Sequence, residues 1–541
     1  MKIIFGITGI LLIAVFSVAY LYFSNLNVNS RSNDKTLAGI PSDASVIFRF
    51  SNDKSLYDIF RDYTVFDAIT GKERKEEITW LKHLLINNEE LYSSTLGQKI
   101  FISFHPSEED KVSLLWLMPL KEDFKLADAE IVLKKEPNSQ LKITEDMGVS
   151  LLEIKNNDID RTFYLSIDRG IATGSFSKVL LLQSLDKDSK KISPEFIREI
   201  NNSLQKDQNG IANLFINHSN PGFLKSFFKQ KTNENFSLFN SFYGHSSLSM
   251  NYKRDALMFY GITRIANNKK GYINLFMNQK PVKNTIKKII PSNLSNYISY
   301  GISDYPLFHN DLKLLLEQRN ELKTLNEHIK LITSETGINP DRDIKKLWGN
   351  EFSTLQLSNY ETLAIIRISN GRQMSFFMEP ISSMYSNTVR KLNYANLFYY
   401  YFGDPLKKFV LPFYAVTDNL IIISNSPVTV QRFLRDYNSE QLLYNTEAFT
   451  QFDQLLADQS NISFLINFDN SDNLLKRLLK KSYSDNFKSS KYGIKDFYGL
   501  SYQLTRNNDH FFTNFYLGSK KGATDSKDSI VYKNDINAVN E

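Results

Sequence analysis

Phe163-Tyr164-Leu165-Ser166-Ile167-Asp168-Arg169-Gly170-Ile171-Ala172-Thr173-Gly174-Ser175-Phe176-Ser177 is matched 250 positions later by Phe413-Tyr414-Ala415-Val416-Thr417-Asp418-Asn419-Leu420-Ile421-Ile422-Ile423-Ser424-Asn425-Ser426-Pro427. Both stretches read as strand, tight turn, strand and helix start. The turns fall at Asp168-Arg169-Gly170 and Asp418-Asn419, residue types that accept turn backbones. In the second stretch Ser426 stands as N-cap with Pro427 at the first helical position. At this offset Asp168 and Asp418 coincide, which makes the hairpin itself a candidate site.

The similarity extends outward from the hairpins. Ile40-Pro41-Ser42 recurs as Ile290-Pro291-Ser292, and each precedes a short alternating strand, 46–50 and 297–300. In the second copy Leu315, Leu322 and Ile329 recur every seven residues, with Leu325 and Ile332 on the same side, which predicts one amphipathic helix over about 311–335. Its shorter counterpart lies near 76–90. Strand pairs follow at 99–104 and 112–118, and at 351–357 and 362–368, each after a glycine, Gly97 or Gly349. Beyond the hairpins come helices at 194–204 and 447–456. Strand and helix then recur at 214–217 with 223–225, against 464–467 with 474–476, before closing strands that begin at Phe242 and Phe497. Matched elements in one order predict an α+β chain of two homologous domains, 40–280 and 281–518, with mostly antiparallel sheets packed by helices.

The chain has 541 residues, too many for one ordinary core, and its 42% apolar share with 40 Phe and 28 Tyr is ample for burial. A formal charge of +6 from 65 basic and 59 acidic residues, spread along the whole length, is not the footprint of a nucleic-acid binder. The sequence has no cysteine, so disulfides, thiolate metal sites, cysteine nucleophiles and a lipid-modified N-terminal cysteine are all excluded.

After Met1-Lys2, residues 3–23 are uncharged and almost wholly apolar, long enough at helical rise to cross a bilayer. Tyr20, Tyr22 and Phe23 lie where an interfacial aromatic belt would sit, which favours a retained single-pass anchor. Ser17-Val18-Ala19 keeps a cleaved signal peptide open as the alternative. The anchor reading places the protein at a bacterial inner membrane with the bulk of the chain on the periplasmic side. Residues 24–39, rich in Asn and Ser, read as a flexible spacer, and 519–541 as a disordered tail.

Ile40-Pro41-Ser42-Asp43-Ala44, the run from Gly337-Ile338-Asn339-Pro340-Asp341 through Leu347-Trp348-Gly349-Asn350-Glu351, and the stretch from Asp418 to Pro427 together carry a resemblance. The chain resembles a family of uncharacterised bacterial membrane-anchored envelope proteins built on a domain of unknown function. The first copy departs from the second of these motifs, keeping only Leu96-Gly97-Gln98. The resemblance implies one N-terminal membrane helix and a large extracytoplasmic part, and it brings no activity with it.

No Gly-x-Ser-x-Gly elbow, phosphate-binding Gly-rich loop or His-Glu-x-x-His zinc helix is present, and the seven histidines never fall at ligand spacing. No catalytic residue, metal ligand or cofactor is therefore assigned. Asp341 and Asp343, and likewise Asp158 and Asp160, suggest calcium. However, the EF-hand pattern fails from Asp341, where Lys346 and Phe352 stand at the glycine and glutamate positions, so capping of a helical turn is the plainer reading. Lys476, Arg477, Lys480 and Lys481 alternate in pairs with Leu474, Leu475, Leu478 and Leu479, a candidate anionic-partner or membrane-surface patch set against a packed leucine face with a solvated basic side. Tyr394, Phe398, Tyr400 and Phe402 are candidate lining for a hydrophobic ligand, set against an element that simply buries its aromatic side. The expected function is a non-catalytic binding or scaffolding protein of the envelope. The bilayer, another envelope protein or lipid would be its partners, and a carrier or sensor of a hydrophobic ligand is the alternative. An enzyme with an unrecognised site is a lesser one.

Overall fold

The computed structural model describes residues 33–520 except 53–75, 78, 82–88, 108–111, 121–123, 136–138, 158–160, 208–209, 221–228, 230–241, 254–255, 267–270, 482–483 and 485–496. Residues 3–23, Asp158 with Asp160, the segment 223–225 and residues 521–541 lie outside the described residues. No helix among the described residues is long and apolar enough to cross a membrane.

The protein is α+β, and one antiparallel sheet of twenty strands dominates it. Its first ten strands are β1 (Val46–Ser51), β2 (Lys99–Pro106), β3 (Val112–Pro119), β4 (Ser139–Asp146), β5 (Val149–Asn156), β6 (Arg161–Asp168), β7 (Ile171–Ser175), β8 (Ala212–Asn217), β9 (Gly244–Lys253) and β10 (Ala256–Ile265). The other ten are β11 (Leu294–Gly301), β12 (Trp348–Leu357), β13 (Thr362–Ile368), β14 (Ser382–Met384), β15 (Arg390–Leu392), β16 (Phe413–Thr417), β17 (Leu420–Ser424), β18 (Ile462–Asn467), β19 (Phe497–Asn507) and β20 (His510–Ser519). The first half pairs in the order β4-β5-β6-β7-β3-β2-β1-β8-β9-β10. The second pairs as β14-β15-β16-β17-β13-β12-β11-β18-β19-β20. β10 pairs with β20, so the two halves share one sheet. Tyr260, the fifth residue of β10, sits opposite Asn514, the fifth of β20.

Helices cover both faces, because successive strand residues point to opposite sides. In chain order they are α1 (Glu89–Thr95), α2 (Leu126–Leu133), α3 (Lys178–Leu185), α4 (Pro194–Lys206), α5 (Tyr305–Gln318), α6 (Leu322–Thr336), α7 (Gly371–Met378), α8 (Leu397–Phe402), α9 (Pro427–Asn438), α10 (Glu447–Asp453) and α11 (Asp472–Leu478). On β3, Leu115 and Leu117 join Leu181 of α3 and Phe196 of α4 in one core, while Trp116 packs on the opposite core with Ala129 of α2. On β13, Leu363 and Ile365 face Val430 of α9 and Phe449 of α10, while Ala364 and Ile366 face α5 to α8.

The hairpins form as their sequences predict, but one residue out of the expected match. Ser175 Oγ donates to Leu114 O at 2.8 Å and accepts from Ser177 N; Ser424 Oγ donates to Thr362 O at 2.8 Å and accepts from Ser426 N. Ser177 and Ser426 are then both N-caps, accepting from Leu180 N and Thr429 N. Ser175 therefore corresponds to Ser424, and the turn residue Arg169 (φ 48°) corresponds to Asp418 (φ 50°). Asp168 and Asp418 do not coincide: Asp168 closes its strand opposite Ile171, whereas Asp418 is in the turn and accepts from Tyr437 Oη at 2.8 Å. Hydrogen-bond register, which side-chain identity over so short a stretch does not reveal, sets the match.

Three further expectations are corrected. The single helix over 311–335 is two, α5 and α6, because Asn320 takes a left-handed conformation (φ 60°) and Glu321 N closes the turn onto Leu316 O at 2.9 Å. The heptad of leucines runs through the break because both helices lie on the same core. The part of the spacer at 33–37 is helical, with Thr36 and Leu37 fully buried against the first half. Residues 272–278, assigned to the first domain, form a 3-10 helix packed in the core of the second half, where Tyr272 and Phe276 are buried against Tyr300 and Phe308.

Candidate apolar binding cavity

In the first half an apolar cavity of about 100 Å³ lies between the sheet and helices α1 and α2. Trp116 of β3, Ile154 of β5, Leu165 of β6, Ala172 and Gly174 of β7 and Ala129 of α2 contribute to its wall. The room comes from Ala172 and Ala129. Gly174 leaves its place to the ring of Phe163, and Ala172 and Ala129 stop at a methyl group. Phe163 in turn is held by Phe176 at 5.0 Å and Trp80 at 5.8 Å between ring centroids. Thr95 also lines the cavity, but its hydroxyl is engaged, donating to Leu91 O at 2.6 Å and accepting from Asn52 Nδ2 at 2.8 Å. A cavity walled this way can take up an apolar body by burial, and among the described residues none of those lining it is a carboxylate, imidazole or amine.

The matching place in the second half is full. Strand register sets Ile423 against Gly174, Ile421 against Ala172, Tyr414 against Leu165 and Phe352 against Ile100. On α7, Met374 holds the place that Ala129 holds on α2, the fourth residue of each helix. All five of these larger side chains belong to one continuous core. A further filler comes from the connection between β15 and β16, residues 393–412, which carries α8; the connection between β5 and β6 is only residues 157–160.

That helix contains most of the aromatic run read as ligand lining. All six residues of α8 are buried, Phe402 lies 4.9 Å from Phe352, and Trp348 lies 5.0 Å from Phe402 and 6.2 Å from Phe398. Tyr400 and Tyr401 donate their phenols to Asp341 at 3.1 Å each, and Tyr394, at the edge, donates to Glu335 at 2.8 Å. The structure thus brings Phe398, Tyr400 and Phe402 together as packing, with Tyr394 partly buried against the same core. Behind them His309 of α5 is fully buried, 5.2 Å from both Tyr400 and Tyr401, with neither ring nitrogen hydrogen-bonded. Burial, with Lys345 and Lys313 adding, holds its imidazole down to about 3.

The basic run divides. Leu474, Leu475 and Leu478 of α11 are buried, with Lys476 and Arg477 exposed and Arg477 resting 5.3 Å over the ring of Tyr360. The helix ends at Leu478 and Leu479 is extended, so Lys480 and Lys481 do not continue the same helical face. Asp341 and Asp343 also part company. Asp343 accepts from Asn339 N and from Arg342, which hold its carboxyl below the usual carboxylate range, while Asn339 accepts from Arg342 N. This is a capping arrangement at the turn Pro340–Ile344. Among the described residues no group of three or more acidic or histidine side chains is placed to hold a metal ion.

The cavity was not legible from motifs, since apolar wall residues look like any core. At the 250-residue offset Gly174 stands against Ser424, and only the strand register of the structure sets it against Ile423. Compared with family models, with curated proteins and with solved structures, the chain matches none of them.

Proposed function

We propose that this chain is a non-catalytic binding protein of a bacterial envelope, tethered at the inner membrane by residues 3–23 with its bulk on the periplasmic side, and that it takes up a small hydrophobic ligand. The cavity bounded by Trp116, Ala129, Ala172 and Gly174 carries this reading. It favours a carrier or sensor over a purely scaffolding role. Cavities of about 150 Å³ with such walls take a benzene ring, so this one has room for about four to six carbon atoms.

The two halves are, on this reading, duplicated copies of one unit, supported by the shared order of strand pairing and by the matched serines Ser175 and Ser424. One copy keeps its room and the other fills it, so the function lies where the copies differ. The test uses the full chain in lipid nanodiscs with Trp348→Phe, which leaves Trp80 and Trp116 beside the cavity. 1-Bromopropane, a heavy-atom quencher of four heavy atoms, is expected to quench this fluorescence saturably. Ala129→Met, the residue of the filled half, should abolish the saturable part; equal quenching in both proteins would overturn the proposal.

A further inference from the structure

The two ends of the sheet are unlike. In the second half the outermost strand is β14, of 3 residues, whereas its counterpart in the first half, β4, has 8. Among the described residues β4 pairs with β5 alone, which leaves its other edge open to a further strand. Lys142, Ile143 and Glu145 are exposed along it, Ile143 at 46%. Ile131 of α2, the helix that packs on β4 and β5, is exposed at 60%. A long, open edge of this kind is a template for pairing, and shortening it, as at β14, is a common way to blunt one.

The turn after β4 fixes which main-chain groups this edge offers. Met147 (φ 52°) and Gly148 (φ 73°) make a two-residue turn, so Asp146 and Val149 exchange both of their hydrogen bonds, and every second pair behind them does the same. The N–H and C=O groups of Asp146, Thr144 and Lys142 therefore point to β5. Those of Glu145, Ile143 and Leu141 point outward.

The side chains of the strand suit a second copy of itself. With two copies antiparallel about Thr144, each Lys142 stands opposite Asp146 of the other copy and the two threonines face each other, both favourable cross-strand pairs. Ile143 then exchanges main-chain bonds with Glu145 of the other copy. Asp146 already holds Lys178 at 2.9 Å, so it comes to lie between two cations. Centring the pair on Lys142 would instead oppose two ammonium groups. Within one chain the halves already join by antiparallel edge strands, β10 with β20.

We infer that two copies of this chain pair antiparallel through β4, about a two-fold at Thr144, so that the sheet runs from one copy into the next. The contact uses the same patch on both copies and the far end of the sheet is short, so the assembly closes as a pair.

The chain has no cysteine, so an engineered one is its only thiol. In the full chain in detergent micelles, Thr144→Cys is expected to form a disulfide dimer under copper phenanthroline, because Cβ atoms directly opposite each other lie about 4.5–5.5 Å apart. Lys142→Cys would stand about 13 Å along the strands from its own copy, beyond disulfide reach, and should cross-link at least roughly tenfold more slowly. Equal rates, or no dimer with Thr144→Cys, would overturn the inference. A second measurement leaves thiols aside. By light scattering the wild type is expected at twice the mass of one chain, and Ile143→Pro, which removes an outward N–H and no bond to β5, at the mass of one with its circular dichroism kept. A monomeric wild type, or a folded Ile143→Pro that stays dimeric, would overturn it; should Ile143→Pro fail to fold, the two cysteine variants decide.

Discussion

A Cβ built on Gly174 would lie 2.3 Å from Cζ of Phe163, the tightest contact that any side-chain atom makes with a glycine position facing the cavity. The Phe163 ring therefore occupies the volume a side chain would need, and the two residues together shape that end of the cavity wall. Gly174→Ala is expected to lower stability by about 1–3 kcal/mol, because the ring must leave its place among Phe176 and Trp80. Thermal unfolding of the full chain measures it, and an unchanged Tm would mean that the ring moves freely.

Filling the same cavity from the opposite wall should act the other way. Ala129→Met places a flexible side chain where only a methyl group stands, and cavity filling of this kind commonly raises stability by about 0.5–2 kcal/mol. A fall in Tm would indicate that the walls of α2 and β7 are too rigid to take it.

Acidification should unfold the second half through His309. Burial holds the folded imidazole at about 3, whereas an unfolded histidine titrates near 6.5. Between these values the unfolded chain binds the proton and the folded one does not. Stability is therefore complete above pH 6.5 and falls as the pH drops toward 3, by up to about 4–5 kcal/mol from this residue. His309→Phe removes that contribution, and the difference in Tm between the two proteins should close as the pH is lowered or reverse in favour of Phe. A difference independent of pH would refute the prediction. Asp341, Lys313 and Lys345 surround the ring in both proteins, so their own effects largely cancel in the comparison.

Ser175→Ala and Ser424→Ala should cost alike. Each removes a hydroxyl that donates to a neighbouring strand and accepts from the N-cap residue two places on, a loss of about 1–2 kcal/mol for a buried pair of bonds. Urea midpoints of the two variants would show it. One costly and one silent substitution would mean that the two hairpins bear different loads.

Local chemistry is what the sequence determined. Strand segments such as Val112–Pro119, the turns at Arg169-Gly170 and Asp418, and the cap Ser426 depend on residues within a few positions of one another, and all of them are where the sequence puts them. The α+β class and the antiparallel sheet follow from that pattern. The tertiary structure alone decided the register that aligns Ser175 with Ser424, since strand pairing is chosen by bonds to β3 and β13 rather than by the hairpin. It also decided that the leucine heptad is cut at Asn320, because packing on one core imposes the same spacing on two helices as on one. Above all it decided the cavity. Free volume is what remains of the space a sheet and its helices enclose where Ala172 and Ala129 carry no more than a methyl group, and those residues come from two separate elements. The same hairpin with Ile423 and Ile421, closed over by the aromatic side chains of α8, leaves a solid core.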